Sequence, residues 1–258
     1  MDKTKLRQAK AWTEKELAVC ADFWLRNGMD KEHGGVYTCL DRYGRVYSKD
    51  KSVWMQGRCG WIFAYLCHTY GVKKEWLEAS KSCLDFMEKY CINPNADGRM
   101  YFTVTADGKP LRQRRYYFSE AFYAIANAEY YGVTGEKECL ERAKKAYNIY
   151  WDLWHGAKDP TGLGPKTEPE TRSGRAFGLP MIFLNVTSVM LRVDPENKAL
   201  YEERAQGCVD DIFKYHVHPE LHCVLENVGP NGEANLDYTD GRIVNPGHDI
   251  EGVWFLLE

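Results

Sequence analysis

The 258 residues predict an all-α fold of repeated helical hairpins. Three observations carry that prediction. Apolar residues recur at helical spacing along most of the chain. Connections alternate between short turns and long loops. The short turns also resemble one another: TYGVKKEWLEA (69–79) and YYGVTGEKECLERA (130–143) run aromatic, Gly, Val, then a charged helix start, and MLRVDPENKAL (190–200) is a looser copy. A repeat of roughly 60 residues per helix pair marks a stacked architecture, because one hairpin cannot bury its apolar face alone. Such hairpins stack as an open solenoid or close into a ring, an α/α barrel.

The elements follow in order. A helix over about 3–27 precedes the first long loop, 28–51. There GGVYTCLDRYGRVYS (34–48) has strand-like pieces around a Gly turn and predicts a β-hairpin. A helix over 52–70 follows, placing Trp54, Arg58, Trp61 and Tyr65 on one stripe. A partner helix spans 73–90. The loop 91–115 contains a second predicted hairpin, RMYFTVTADGKPL (99–111). The next pair spans 116–131, with Glu120, Tyr123 and Asn127 on a stripe, and 135–154. The loop 155–176 is rich in Gly, Pro and charge and is the candidate mobile lid. Helices over 177–192, with Met181, Asn185 and Ser188 aligned, and 195–215 come next. The loop 216–245 holds a third predicted hairpin, LHCVLENVGPNGEA (221–234). A last helix starts at 246. In a ring, the helix after each long loop is the inner one. Four inner helices carrying polar groups in apolar surroundings predict a shared cavity, since an unpartnered buried charge is costly.

The start of the last helix, NPGHDIEGVWFLLE (245–258), is chemically legible. Asn245 suits the N-cap and Pro246 the first helical position. His248 then lies in the first turn, at the positive end of the helix dipole, which disfavours an imidazolium. Glu251, three residues on, shares its face. A neutral histidine beside a carboxylate is a proton carrier suited to neutral pH.

Composition narrows the function. The chain is 44% hydrophobic and 14% aromatic, so a single domain over 1–258 has a sizeable core available. Its formal net charge of −3, with no long basic run, argues against nucleic acid or an anionic membrane as the main partner. The opening MDKTKLRQAK lacks the apolar run of a signal peptide, and WIFAYLC (61–67) is too short to span a bilayer. Nine cysteines without a CxxC pair read as reduced packing residues of a cytoplasmic protein. His216, His218 and His222 do not form a zinc signature and are expected on the loop surface, and no metal is expected. His33 is read as structural, and His68 and His155 as packing or capping groups. GLGPKT (162–167) lacks the spacing of a phosphate-binding P-loop.

Several segments resemble the N-acylglucosamine 2-epimerase family: HGGVYTCLDRYGRVY (33–47), VWMQGRCGW (53–61), FSEAFYA (118–124), LPMIFLNV (179–186), VLENV (224–228) and GRIVNPGHDIEGVWFLL (241–257). They occur in family order across nearly the whole chain. The resemblance implies an (α/α)6 barrel of twelve helices, of which about eight are present here, so the barrel is expected to be incomplete, with small β-hairpins in its long loops. It implies interconversion of N-acetylglucosamine and N-acetylmannosamine by proton exchange at C2 through an enediolate. His248 matches one of the family's two acid/base histidines. The other lies beyond Glu258, which puts catalysis by this chain alone in question. Arg58 matches the residue binding the O1/O2 side. Arg242 and Glu251 match the residues flanking the histidine, with Glu251 orienting it or holding a sugar hydroxyl. Asn185 and Glu226 match pocket-lining positions. The implied partner is a small sugar. No cofactor is required, ATP or another nucleotide remains open as an activator, and a homodimer is compatible.

The nearest alternatives within the family are a mannose isomerase and a cellobiose 2-epimerase. Val189, four residues after Asn185, stands where those branches are associated with an extra histidine. A glycoside hydrolase or lyase on the same architecture would need two carboxylates facing each other across a sugar, drawn from Glu120, Glu226 and Glu251. An inactive fragment or carbohydrate-binding module is the non-enzyme reading, which exposed apolar stripes on the last helices would favour.

Overall fold

The computed structural model describes residues 2–258. Among them are eight α-helices: α1 (Lys3–Asn27), α2 (Val53–Tyr70), α3 (Lys74–Phe86), α4 (Phe118–Thr134), α5 (Lys137–Trp154), α6 (Gly178–Val193), α7 (Lys198–Asp211) and α8 (Pro246–Leu257). Each lies within a few residues of its sequence expectation. α3 and α7 each run on into a wider π turn, Met87–Cys91 and Ile212–His216.

The inner helices α2, α4, α6 and α8 pack side by side in that order. Behind three of them, α3, α5 and α7 pack antiparallel as the outer layer. This is an arc of an α/α barrel. α1 closes its near edge, setting Leu17, Ala21 and Trp24 against Phe63, Leu66 and Trp76. The first two inner helices, α2 and α4, touch almost backbone to backbone. A Cβ on Gly57 of α2 would lie 2.6 Å from the Phe122 Cβ of α4, so only glycine permits that approach.

The long loops gather at one end, stitched by short strands. β1 (Cys39–Leu40) and β2 (Val46–Ser48) form the first expected hairpin. β4 (Thr103–Val104) and β5 (Pro110–Arg112) form the second, to which β3 (Lys51–Ser52) adds a third strand. Beneath this sheet Lys51 is fully buried. Its ammonium donates to Asp30 Oδ2 at 2.7 Å, to the Gly34 carbonyl at 2.7 Å and to the Ala106 carbonyl at 3.1 Å, using all three N–H donors.

The third expected hairpin, over 221–234, does not form. β8 (Cys223–Val224) pairs backwards with β7 (Val217–His218), and β9 (Asn227–Val228) crosses to β6 (Arg175–Ala176). The Gly turn is present but is closed by two bonds of its own, Gly229 N to Glu233 O at 2.9 Å and Gly232 N to Gly229 O at 3.0 Å. The extended run 223–228 thus serves two partners in succession, one from the end of α7 and one from the loop before α6. Strand character was local and readable; the choice of edge was not.

Two histidines expected on the loop surface are buried instead. His218 bonds to Glu220 at 2.9 Å and to the Tyr215 carbonyl at 3.2 Å. His216 is completely enclosed, with Nδ1 at 2.9 Å from the Leu225 carbonyl. Burial outweighs that bond and holds the His216 imidazole below its ordinary value of 6.5. The sign follows. Above 6.5 the ring is neutral in folded and unfolded chains alike. Below it the unfolded chain takes up a proton that the folded chain resists, so stability falls by at most about 1.4 kcal/mol per pH unit until the folded-state value is reached. The melting temperature should therefore drop between pH 7.5 and 5.5, and by less in His216→Asn, as differential scanning calorimetry would read.

The expected lid, 155–176, is tethered to the barrel. Asp159 pairs with Arg99 at 2.5 Å, and the Gly164 carbonyl accepts from Arg115 Nε at 2.9 Å.

Candidate functional site

The site begins with the local chemistry of α8. Asn245 caps the helix as expected, its Oδ1 accepting the His248 N–H at 3.4 Å, with Pro246 in the first turn. This holds His248 at the loop end of the innermost groove. Its Nδ1 lies 2.9 Å from Glu226 Oε2. A carboxylate only accepts, so Nδ1 carries the hydrogen and Nε2 is left with a free lone pair. His248 is 38% exposed and Glu226 17% by side chain, so the pair borders open space while the carboxylate is largely shielded.

Glu226 is held from both sides. Its N–H donates to the Ile243 carbonyl at 2.9 Å, and its carbonyl accepts the Phe177 N–H at 2.8 Å. Its second carboxylate oxygen overlies Gly178, 3.9 Å from where a Cβ would sit, at the first turn of α6. Free N–H groups at a helix start attract a carboxylate. Asp249, next to His248, has its carboxyl raised above the ordinary value, first by burial and then by the nearby Glu226 charge.

A cavity of about 430 Å³ lies along the inner helices; α8 contributes Glu251, Trp254 and Phe255 to its wall, while His248 and Glu226 stand outside that lining. Its walls are apolar: Met55, Trp61, Phe122, Ile125 and Ile182 among them. Polar side chains break that lining, among them Arg58, Asn185, Glu251 and Thr38. A mostly apolar hollow with few convergent polar groups is the usual form of a small-molecule site. The Arg58 guanidinium carbon sits 4.4 Å from the Phe122 ring centre, and this stacking orients the cation without an ion-pair partner among the described residues.

Of the six residues singled out from sequence, the structure places five in two groups. His248 and Glu226 form the imidazole–carboxylate pair, and Arg58, Asn185 and Glu251 line the cavity. Arg242 is exposed on the turn before Ile243 and does not line it. Glu251 does not bond His248; Glu226 takes the orienting role, so that half of the expectation for Glu251 is corrected. One turn along α8 separates His248 from Glu251, and the ring edge instead meets the strand segment carrying Glu226.

The polar stripe on α4 also faces elsewhere. Glu120 is buried against Arg99 Nε at 2.7 Å and the Met100 N–H at 2.8 Å. Tyr123 donates to Glu88, and Asn127 to the Tyr123 carbonyl. α4 offers Phe122 and Ile125 to the cavity instead. α4 is surrounded on nearly every side, and its apolar residues leave no single face to identify as inward. Glu120, held by Arg99, is therefore not available as one of two carboxylates across a sugar. Among the described residues no three His, Cys, Asp or Glu side chains converge as metal ligands.

What the arrangement can do is move a proton at His248 Nε2 and stabilise negative charge near Arg58. Comparison with known proteins identifies the family. The family described as N-acylglucosamine 2-epimerase (GlcNAc 2-epimerase) matches residues 35–258. The N-acylglucosamine 2-epimerase of Rattus norvegicus is 35% identical over 246 residues, covering 94% of this chain and 58% of its own. That of Homo sapiens is 34% identical, covering 96% and 58%. The structure of cellobiose 2-epimerase from Bacillus thermoamylovorans B4167 superposes with a TM-score of 0.78 at 20% identity, over 91% of this chain and 61% of that one, and shares the barrel fold. The chain therefore spans about three fifths of the length of the curated relatives it matches.

Proposed function

The chain belongs to the N-acylglucosamine 2-epimerase family, and from that premise we propose that it carries one half of a sugar 2-epimerase site acting on N-acetylglucosamine and N-acetylmannosamine. The observation that carries the reading is the His248–Glu226 pair at the start of α8, the helix whose next turn presents Glu251 to a cavity that Arg58 and Asn185 also line.

The chemistry follows from the geometry. In the open-chain sugar, the C2–H bond breaks and its proton goes to the His248 Nε2 lone pair. The bonding electrons move into the C1–C2 bond, and the carbonyl pair moves onto the C1 oxygen, giving an enolate with the acetamido nitrogen on C2 (an enediolate only for a sugar with a C2 hydroxyl). Glu226 stabilises the imidazolium that forms, through Nδ1–H. Arg58 offsets the oxyanion charge, which is worth most where water is excluded. Asn185 and Glu251 hold hydroxyls, and the apolar wall beside them accommodates the N-acyl methyl. Return of a proton to the opposite face of C2 gives the epimer. That step needs a second carrier, and because the chain spans three fifths of its relatives' length, complete epimerisation is proposed for the whole barrel. The reaction asks for proton transfer and charge stabilisation only, so the proposal includes no cofactor. Nine free cysteines support a cytoplasmic setting.

Deuterium uptake at C2 of both sugars, followed by proton NMR in D2O, tests the reading. The chain is expected to exchange C2 hydrogen of at least one of them. A folded chain that binds neither sugar and exchanges neither removes the proposal. Exchange with mannose or cellobiose alone would keep the proton chemistry and move the substrate.

A further inference from the structure

His216 lies outside the cavity and takes no part in the chemistry described, yet it grips the segment that aims Glu226. Its backbone carbonyl accepts the Leu225 N–H at 2.9 Å, and its ring Nδ1 lies 2.9 Å from the Leu225 carbonyl. Both backbone polar groups of Leu225 are thus taken by one residue. The next residue, Glu226, has its own two taken by Ile243 and Phe177. All four backbone groups of the pair are consumed, so the strand cannot shift without breaking buried bonds. The His216 ring also lies 5.6 Å from the Phe177 ring, whose residue supplies one of those bonds. A carbonyl only accepts, so Nδ1 of His216 bears the hydrogen. Nε2 is buried and has no partner among the described residues, so this ring is held by its one bond and by packing.

We infer that His216 is a positioning residue for the proton carrier: by clamping Leu225 it fixes Glu226, and through Glu226 it fixes the tautomer and direction of His248. The inference rests on the reading of His248 as the proton carrier, and its test is separable from that reading. A hydrogen bond aimed through a strand tolerates little displacement, since bonds weaken steeply with misalignment. Loss of the ring bond leaves the buried Leu225 carbonyl unpaired and the segment held at 225 by its N–H alone. Glu226 then swings, and the His248 ring relaxes toward the tautomer mixture of a free imidazole.

Asparagine and glutamine separate this role from mere filling. The Asn side-chain amide nitrogen superposes on imidazole Nδ1 and can donate to Leu225. The Gln amide carries the same group one atom further and reaches the Nε2 position, away from that carbonyl. Both are polar and similar in bulk, so each is compared at matched thermal stability. The readout is the His248 imidazole nitrogen spectrum of the 15N-histidine-labelled chain. Wild type and His216→Asn are expected to show His248 predominantly as the Nδ1–H tautomer, and His216→Gln a ratio of Nδ1–H to Nε2–H lower by threefold or more. In sugar exchange, His216→Gln should lose about tenfold in turnover, with KM within about twofold. An unchanged tautomer ratio in folded His216→Gln overturns the inference, and so does an equal change in the Asn variant. If the ratio shifts as expected while no variant, wild type included, exchanges any sugar, the clamp stands and the epimerase reading falls. Should His216→Gln fail to fold, His216→Leu, which fills the space but cannot donate to the Leu225 carbonyl, replaces it, and an unchanged His248 tautomer ratio in that folded variant overturns the inference.

Discussion

His248→Gln is expected to reduce C2 hydrogen exchange by about 10²–10⁴-fold, the usual weight of a positioned acid/base group. The fold should survive, because the side chain is 38% exposed and its contact with Glu226 borders solvent. Such pairs contribute on the order of 0–1 kcal/mol, so the melting temperature should move by only a few degrees. Glu226→Gln offers a graded comparison. The Gln carbonyl still accepts from Nδ1–H and preserves the tautomer, but it no longer stabilises the imidazolium by charge. Exchange should fall by about tenfold, with its pH dependence displaced downward, since a neutral neighbour favours the protonated ring less. NMR exchange rates across a pH series check both. Undiminished exchange in His248→Gln would remove this residue from the chemistry.

Lys51→Met should cost about 3–5 kcal/mol of stability, the range for removing one partner of a buried ion pair. Lys51 and Asp30 are 0% and 1% exposed by side chain, so solvent screens nothing. Methionine fills the space but strands the Asp30 carboxylate and two carbonyls that the ammonium had satisfied. In the native chain burial raises the Asp30 carboxyl, but bonds from Lys51 and from the Glu32 and His33 N–H groups outweigh it and hold the group below its ordinary value. Its stabilisation is thus present above the ordinary carboxylate range and lost as pH falls through the lowered value. Without Lys51, burial dominates and Asp30 protonates more readily. The cost of Lys51→Met should therefore shrink toward pH 4, and Lys51→Met with Asp30→Leu should recover much of the loss. Urea unfolding at pH 7 and pH 4 measures both. The consequence reaches the site, because Lys51 ties the loop carrying Gly34 to the loop carrying Ala106 and so sets the barrel's mouth.

The helices were legible because their signals are local. Spacing of apolar residues, the Asn245–Pro246 start and the short turns each span a few residues, and all eight helices lie where those signals put them. The family resemblance carried Arg58, Asn185, Glu226, Arg242, Glu251 and His248 as a set; in the structure His248 meets Glu226, three of the others line one cavity, and Arg242 is exposed outside it. Sequence alone also determined that the inner helices would bear polar groups. Which groups meet was decided by the tertiary structure. Glu226 stands 22 residues before His248 and displaced Glu251, the nearer carboxylate on its own helix. Arg99 claimed Glu120 across 21 residues, and the 223–228 run gave one edge to β7 and the other to β6. Those choices depend on the ring geometry that brings loop ends together, and on the cost of leaving any buried charge or backbone group unpaired. Local spacing fixes which residues share a helix face; only closure of the arc fixes what that face meets.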